Sequence, residues 1–440
     1  MAQLSSSQDE FHIAIVGAGI GGLTAGIALT RLLPSTVRVS IFEQARELRE
    51  IGASIGIGPN GLRSLEKLGV DASAIDEVSF RQPDNRPFVY LHWQTGEVLK
   101  QTVHHNVSDR RHAMARFHRA HLQRLLLEKL PKGVKLHLSK RVKAVQVKPE
   151  QNGQGGVILT FEDRTTINAD LLIGADGIHS SVRKTFVPDH TLRWTGGVTL
   201  RSTFDASLVE GIEGLPQNAV FYFGRERSLF ASRLGKGQYT VVGSYQSNVD
   251  DPEDPYYNAK WNSEGDLETL RSYYKGWHPV AQALVNVVPY TRIFPNEMGV
   301  PLKSMTFHGR VVLIGDAGHT HGGAFAAGGA LAINDAHALA LALTHVWRAE
   351  NQSRLSAHQL AQGLDLFDKT RRPHVNRLIE LVQRITEPPL DAPKPAETAE
   401  ESDEDFRKMI SSMGDENWIA EHDVEAAFQA VLRDGDSAKL

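Results

Sequence analysis

The chain has no cysteine among its 440 residues. That absence excludes disulfides, thiolate catalysis, iron–sulfur ligation and cysteine-based zinc sites together, so any chemistry rests on other side chains or on a cofactor. No uninterrupted apolar run reaches the roughly 18 residues that a membrane-spanning helix needs. The amino terminus, MAQLSSSQDEFHIAIVGAG, lacks a basic n-region followed by an apolar core and a cleavage site. Together these absences predict a soluble cytoplasmic protein, in which the sequons at Asn106 and Asn351 carry no weight. Charge of one sign is also missing. The formal net charge is −4 and no basic stripe stands out, so there is no electrostatic case for nucleic acid. Internal repeats are absent.

What is present is an ordinary globular composition, 41% hydrophobic and 23% charged, on a chain longer than one core usually supports. Two interleaved domains, or one large domain with an appendage, are therefore expected. FHIAIV, GAGIGG, LTAGIALTRLL and RVSIFE read as strand, glycine turn, helix and strand. RPFVYLHWQTGEVLKQTVHH reads as a hairpin turning at Thr95-Gly96, and RFHRAHLQRLLLEKLP as an amphipathic helix ending at Pro131. Several strands then lead to LLIGADG. From about 190 to 300 the texture changes to alternating strands such as GGVTLRSTF, AVFYFG, SLFASRL and QYTVVGSYQ, predicting an inserted antiparallel sheet. VVLIGDAGHTHGGAFAAGGALAINDA returns to strand, glycine loop and helix. A helix is expected after Pro373, then a solvated acidic connector over 387–405 and a closing helix, WIAEHDVEAAFQAVL.

Gly17, Gly19 and Gly22 form GxGxxG between a strand and a helix, the context that makes this pattern a dinucleotide signal. Glycine there permits a tight turn, close approach of a pyrophosphate and close helix–strand packing, while the helix N-terminus attracts the anion. Glu43 ends the second strand at close to the roughly 20-residue spacing of a ribose-binding acid. An acid there suits free ribose hydroxyls and repels a 2′-phosphate. Asp176-Gly177 and Gly315-Asp316 each end a later hydrophobic strand, with Arg183 following the first pair.

These ordered motifs closely resemble the fingerprints of the single-component FAD-dependent aromatic hydroxylases, the group containing 4-hydroxybenzoate and salicylate hydroxylases, from about residue 11 to 375. The resemblance implies an α/β fold: a discontinuous Rossmann-like FAD-binding domain (1–85, 106–188, 300–375), a substrate-binding sheet domain (86–105, 189–299) and a C-terminal helical segment (376–440). It implies that Gly17, Gly19 and Gly22 carry the ADP part of FAD and Glu43 the adenosine ribose, and that Arg119 contacts the flavin. It also places Asp176 and Gly177 in a motif serving FAD and nicotinamide nucleotide, Asp316 at the ribityl–pyrophosphate region, and Gly328 and Gly329 at the pyrimidine edge of the ring. A helix N-terminus at that edge would stabilise the anionic reduced flavin.

The segment HGGAFAAGGALAINDA departs from the wider family. Gly323 stands where a proline is frequent, and Ala327 where a glutamine is. It looks instead like a fungal subgroup that hydroxylates aromatic polyketides, including oxidative-dearomatisation enzymes, and the closing EHDVEAAF is similar to fungal salicylate-hydroxylase-like proteins. Arg201 matches an arginine thought to hold the substrate phenolate; without the resemblance, a lone strand arginine more often belongs to a solvated face. Tyr222, Phe230 and Ser232 are pocket candidates. Gly52-Ala53-Ser54-Ile55-Gly56 satisfies GxSxG but follows charged RELRE rather than a strand. His319 and His321 have no evident third partner for a metal, and none is expected.

The implied activity is a monooxygenase that uses FAD, NAD(P)H and oxygen to hydroxylate a small phenolic substrate through a flavin hydroperoxide. NAD(P)H would bind transiently, since no second GxGxxG follows a strand. Rival readings are a decarboxylating salicylate-type hydroxylase, a two-electron flavin oxidase or dehydrogenase, and a non-catalytic carrier that kept the fold.

Overall fold

A computed structural model describes residues 10–48, 53–84, 86–151, 154–248, 250–348, 354–386, 399–414 and 416–437. The chain opens on β1 (Phe11–Val16), α1 (Ile20–Leu32) and β2 (Val37–Phe42). β1 is buried along its whole length, as a largely apolar strand covered on both faces is, and its one polar side chain, His12, lies 3.0 Å from Ser40 Oγ. β3 (Ser54–Ile57), α2 (Pro59–Lys67), α3 (Ala72–Val78) and β4 (Ser79–Arg81) follow, then the hairpin β5 (Val89–His92) and β6 (Val98–Gln101). β7 (Ala115–His118) leads into α4 (Arg119–Glu128), so RFH begins as strand rather than helix; His118 Nδ1 accepts from the Ala120 amide and marks the change. β8 (Lys135–His137), the meander β9 (Val142–Gln151), β10 (Gln154–Phe161) and β11 (Thr166–Ala169), then β12 (Leu171–Gly174) and α5 (Ser181–Phe186) complete this part.

A long excursion comprises β13 (Arg193–Asp205), β14 (Val220–Phe223), β15 (Arg227–Arg233), β16 (Gln238–Gln246), β17 (Ser263–Gly265), α6 (Leu267–Tyr273), α7 (Pro279–Val287) and β18 (Thr291–Met298). The chain returns through β19 (Thr306–Phe307), β20 (Val311–Leu313), α8 (Gly328–Arg348) and α9 (Ala357–Thr386), and ends in α10 (Ala399–Ser412), α11 (Asn417–Ala420) and α12 (Val424–Ser437).

One sheet has the order β19-β20-β12-β1-β2-β8, parallel except at β19, and collects the C-terminal ends of β1, β12 and β20 side by side. Each of those ends carries one of the three glycine motifs. Helices α1, α8 and α9 stack on one face through Leu23, Ile27, Leu331, Leu339, Phe367 and Leu378; the β9–β11 meander covers the other through Val145, Val157 and Leu159. The second sheet has the order β17-β18-β13-β16-β15-β14-β5-β6. It is antiparallel except where β14 meets β5, so the expected antiparallel insertion is mixed at that seam.

Register assigns the faces of this second sheet. Val198, Leu200, Leu229, Tyr239 and Val241 pack against Leu270, Tyr274, Val280 and Leu284 of α6, α7 and their loop. Residues of opposite parity form a row across the other face: Arg201 opposite Val242, Val242 opposite Phe230, Phe230 opposite Phe221, and Phe221 opposite Tyr90.

The C-terminal region differs from the sequence expectation. α9 runs unbroken through Pro373 rather than starting after it, across the expected boundary at 375. An interior proline costs about 3 kcal/mol. Burial of Phe367, Val375, Leu378 and Ile379 on the same helix, at roughly 1.5–3 kcal/mol per side chain, outweighs that cost. The acidic connector lies outside the described residues over 387–398, and its last part, from Ala399, is already helix α10. The arm α10–α11 spans both units. His92 of β5 pairs with Asp403 at 2.9 Å and meets the Phe406 ring, while the side chain of Asn60 on α2 donates to the Ile419 carbonyl at 3.1 Å. Among the described residues, no helix is long and apolar enough to cross a membrane.

Candidate active site

The first motif is built by sterics. Gly17 has φ +104°, and a Cβ there would stand 2.3 Å from the Ala175 carbonyl oxygen of the neighbouring strand end. At Gly22 a Cβ would stand 2.0 Å from the Gly17 oxygen, so the helix closes on the turn only without a side chain. A Cβ at Gly19 would meet nothing within 4 Å, and Gly19 starts α1 with no side-chain cap. The first amides of α1 are thus left for an anion.

Glu43 holds this turn: one carboxylate oxygen accepts from the Ala18 amide and the other from the Ala45 amide, both at 2.8 Å. Buried Gln123 donates to the Ala18 carbonyl at 3.0 Å, a support that the amphipathic pattern of α4 did not reveal.

The second motif faces inward. The Asp176 carboxylate caps α5, accepting from the Ser180 hydroxyl at 2.5 Å and the Ser181 amide at 2.7 Å. Burial pushes its pKa up, against the pull of these hydrogen bonds. Gly177, at φ +78°, has open space where a Cβ would point. Arg183, which is buried, donates to the carbonyls of Asp316 at 3.1 Å and Ala317 at 3.0 Å, and also to that of Ile178. It fastens the second motif to the third.

In the third motif the exposed Asp316 lies at the head of α8, its Oδ1 3.7 Å from where a Cβ of Gly328 would stand. Gly328 begins a 21-residue helix whose first amides have no partner within it. Gly329 has a different reason to be glycine: a Cβ there would stand 2.7 Å from the Cδ1 atoms of both Ile55 and Ile57, so it lets α8 close on β3.

Asp335, in the third turn of α8, was not singled out in the sequence. It accepts from the Gly315 amide at 2.9 Å, His319 Nε2 at 2.6 Å and Arg371 Nε at 2.8 Å. Burial opposes its charge, but His319 and Arg371 hold it well below the usual carboxylate range. The only signal was an acid inside an alanine and leucine helix.

Between Gly315 and α8 the loop stores strain. Gly322, Gly323, Phe325 and Ala326 all have φ between 51° and 72°, a region that non-glycine residues rarely adopt and that clusters at functional sites. The second sheet meets this loop through Arg201, whose Nη2 lies 3.9 Å from where a Cβ of Gly323 would stand. Arg201 Nε donates to Thr199 Oγ1 at 3.0 Å, and the guanidinium sits 5.2 Å from the Phe294 ring centre. Burial, and then the charge of Arg119, push its pKa down to about 10, which still leaves a full cation at neutral pH. Arg119 begins α4, its amide donating to the Ala53 carbonyl at 2.8 Å. Arg201 thus brings a guanidinium to the glycine loop, and the charge of Arg119 acts on it; such a cation favours an anionic aromatic ligand.

The weaker pocket candidates separate. Phe230 shares the Arg201 row and packs on Phe221, with ring centres 4.8 Å apart. Tyr222 departs from expectation: it points to the opposite face, 1% exposed, stacked on His278, and burial pushes its hydroxyl up to about 12. Ser232, two residues along β15 from Phe230 and so on the same face, is buried with its hydroxyl donating to the Arg233 carbonyl at 2.9 Å. Ser54 of the GxSxG match begins strand β3 and is paired with Thr240 at 3.2 Å; it is not a nucleophile elbow.

The family profile described as FAD binding domain matches residues 10–381. The chain belongs to the FAD-dependent aromatic monooxygenases. A salicylate hydroxylase of Pseudomonas putida is 30% identical, over 88% of this chain and 86% of its own. A 6-methylsalicylate 1-monooxygenase of Aspergillus terreus (strain NIH 2624 / FGSC A1156) is 28% identical, over 74% of this chain and 72% of its own. The fold matches a salicylate hydroxylase substrate complex with a TM-score of 0.73 at 22% identity, covering 97% and 98% of the two chains. FAD is the cofactor of this enzyme family, and the residues present fit it. The open sides of Gly19 and Gly177, the uncapped N-terminus of α1 and the exposed Asp316 at the head of α8 all lie at the adjacent strand ends of β1, β12 and β20.

Proposed function

We propose that the enzyme consumes NAD(P)H and oxygen to hydroxylate a phenolic ring of the polyketide type made by fungi. The observation that carries this reading is Arg201: a cation on the inner face of the second sheet, against the strained loop that leads into α8. A guanidinium there lowers the pKa of a phenol, holds the phenolate and orients its ring, which makes the ring electron-rich. Bound, reduced FAD supplies the activated oxygen. Phe230 and Phe221 would offer the ring an apolar wall. Where oxygen enters at a ring carbon that already bears a substituent, proton loss cannot restore aromaticity, and the product is dearomatised. The HGGAFAAGGALAINDA segment and the relative acting on 6-methylsalicylate support this substrate class.

In this reading Gly17, Gly19, Gly22 and Glu43 hold the ADP half of FAD, and Arg119, Asp316 and Gly328 its flavin half, while Asp176 and Gly329 act as supports. A second reading, a decarboxylating salicylate-type hydroxylase, is favoured by the relatives' printed substrates, which carry a carboxylate that Arg201 would pair with equally well. Incubating the yellow protein with NADPH, isotopic oxygen, a panel of resorcylaldehydes and salicylate separates the two. Label in a hydroxylated or dearomatised aldehyde is expected. Carbon dioxide release from salicylate would favour the second reading, and protein without bound FAD would sink both.

A further inference from the structure

One buried acceptor at the head of α8 has no partner among the described residues. His321 is 3% exposed, and its Nδ1 lies 3.1 Å from the His319 carbonyl oxygen. A carbonyl only accepts, so Nδ1 carries the proton, and in the neutral ring Nε2 offers a lone pair. Burial lowers the pKa of this histidine, with Asp316 opposing, which keeps the ring neutral at ordinary pH. Nε2 is enclosed and has no hydrogen-bond partner among the described residues. Buried polar atoms are nearly always satisfied, so an enclosed, unpaired acceptor calls for a donor from outside the chain.

Its surroundings say which donor. The His321 Cε1 and Nε2 atoms lie 3.3 and 3.8 Å from where a Cβ of Gly328 would stand, and Asp316 Oδ1 lies 3.7 Å from the same point. A carboxylate and a neutral imidazole lone pair, both acceptors, thus flank one spot. An anionic ring would be repelled there by Asp316 and has its cation elsewhere, at Arg201. Two neighbouring acceptors suit a polyol with hydroxyls on successive carbons.

We propose that His321 Nε2 accepts a hydrogen bond from a hydroxyl of the ribityl chain of FAD, beside Asp316, and so helps to fix the flavin at the N-terminus of α8. This rests on FAD as cofactor and not on the identity of the substrate.

The test titrates apoprotein with FAD, and with FAD analogues lacking single ribityl hydroxyls, followed by flavin fluorescence without substrate. For His321→Val the FAD dissociation constant is expected to rise on the order of tenfold, as losing one neutral hydrogen bond implies. For His321→Gln, which keeps an acceptor, most of the affinity should remain. One deoxy analogue should bind wild type and His321→Val equally. A change within twofold for FAD, or the same loss with every analogue, would overturn the proposal. So would unchanged FAD binding with a weakened substrate-induced flavin spectrum, which would assign the lone pair to the substrate. Should His321→Val not fold, the analogues on wild type decide: undiminished binding of all of them overturns the proposal.

Discussion

The guanidinium of Arg371 donates through Nε to the carboxylate of Asp335 at 2.8 Å, and neither side chain has any exposure to solvent. The pair joins α9 to α8, and the other Asp335 oxygen holds Gly315 and His319. The loop that ends at α8 therefore hangs from a buried ion pair.

Removing one partner of such a pair strands the other charge. Asp335→Ala is expected to cost about 3–5 kcal/mol and to weaken FAD binding, because Gly315 and His319 lose their acceptor. Chemical denaturation of apoprotein and an FAD titration check both effects; unchanged stability would show that the pair is not structural.

His374 and His422 stack with ring centres 3.9 Å apart beside Arg371. Burial first, and then Arg371, push their pKa values down to about 2 and about 3. In the unfolded chain each returns to about 6.5, so below that pH the unfolded state binds protons that the folded state refuses. Their contribution is complete above about 6.5 and is lost as pH falls toward 3. The denaturation midpoint should decline steadily from pH 6.5 to 4.5, and His422→Phe should flatten that decline; an identical slope in the variant refutes the assignment.

Gly19 and Gly22 belong to one motif but to different constraints. Gly22→Ala drives a Cβ into the Gly17 carbonyl and is expected to cost at least about 1–3 kcal/mol. Gly19→Ala meets nothing in the protein, so the apoprotein melting temperature should hold while FAD binding weakens. Melting curves with and without FAD distinguish the two.

Arg201→Ala should leave FAD affinity unchanged and weaken substrate binding by on the order of 10- to 100-fold, the loss of a charged hydrogen bond worth about 1.5–3 kcal/mol. Arg201→Lys should recover part of it, keeping charge without the planar fork. Substrate-induced changes in the flavin spectrum give the dissociation constants, and equal values for all three proteins would remove Arg201 from the site.

The strand–glycine–helix units were legible in the sequence because their causes are local. Steric demands at Gly17 and Gly22, the apolar run of β1 and the turn at Gly96 each act within a few residues or against the adjoining strand. Which face a strand residue takes is another matter. In VFYF of β14 both parities are apolar, since one face lies on the helical layer and the other in the Phe221, Phe230 and Tyr90 row. Alternation therefore could not separate Tyr222 from Phe230, and only packing did. The small size of Gly329 is explained by Ile55 and Ile57, remote in sequence.

By itself, then, the sequence determined the dinucleotide-type unit and its three strand-end motifs, which follow from short-range backbone geometry, while FAD as the cofactor followed from the resemblance of those motifs to a known family. Only the tertiary structure decided that Asp176 turns inward, that Asp335 and Arg371 suspend the loop, that Arg201 meets Gly323, and that Nε2 of His321 has no partner among the described residues. Those relationships join residues far apart in the chain, and their energies come from burial, which no local pattern encodes.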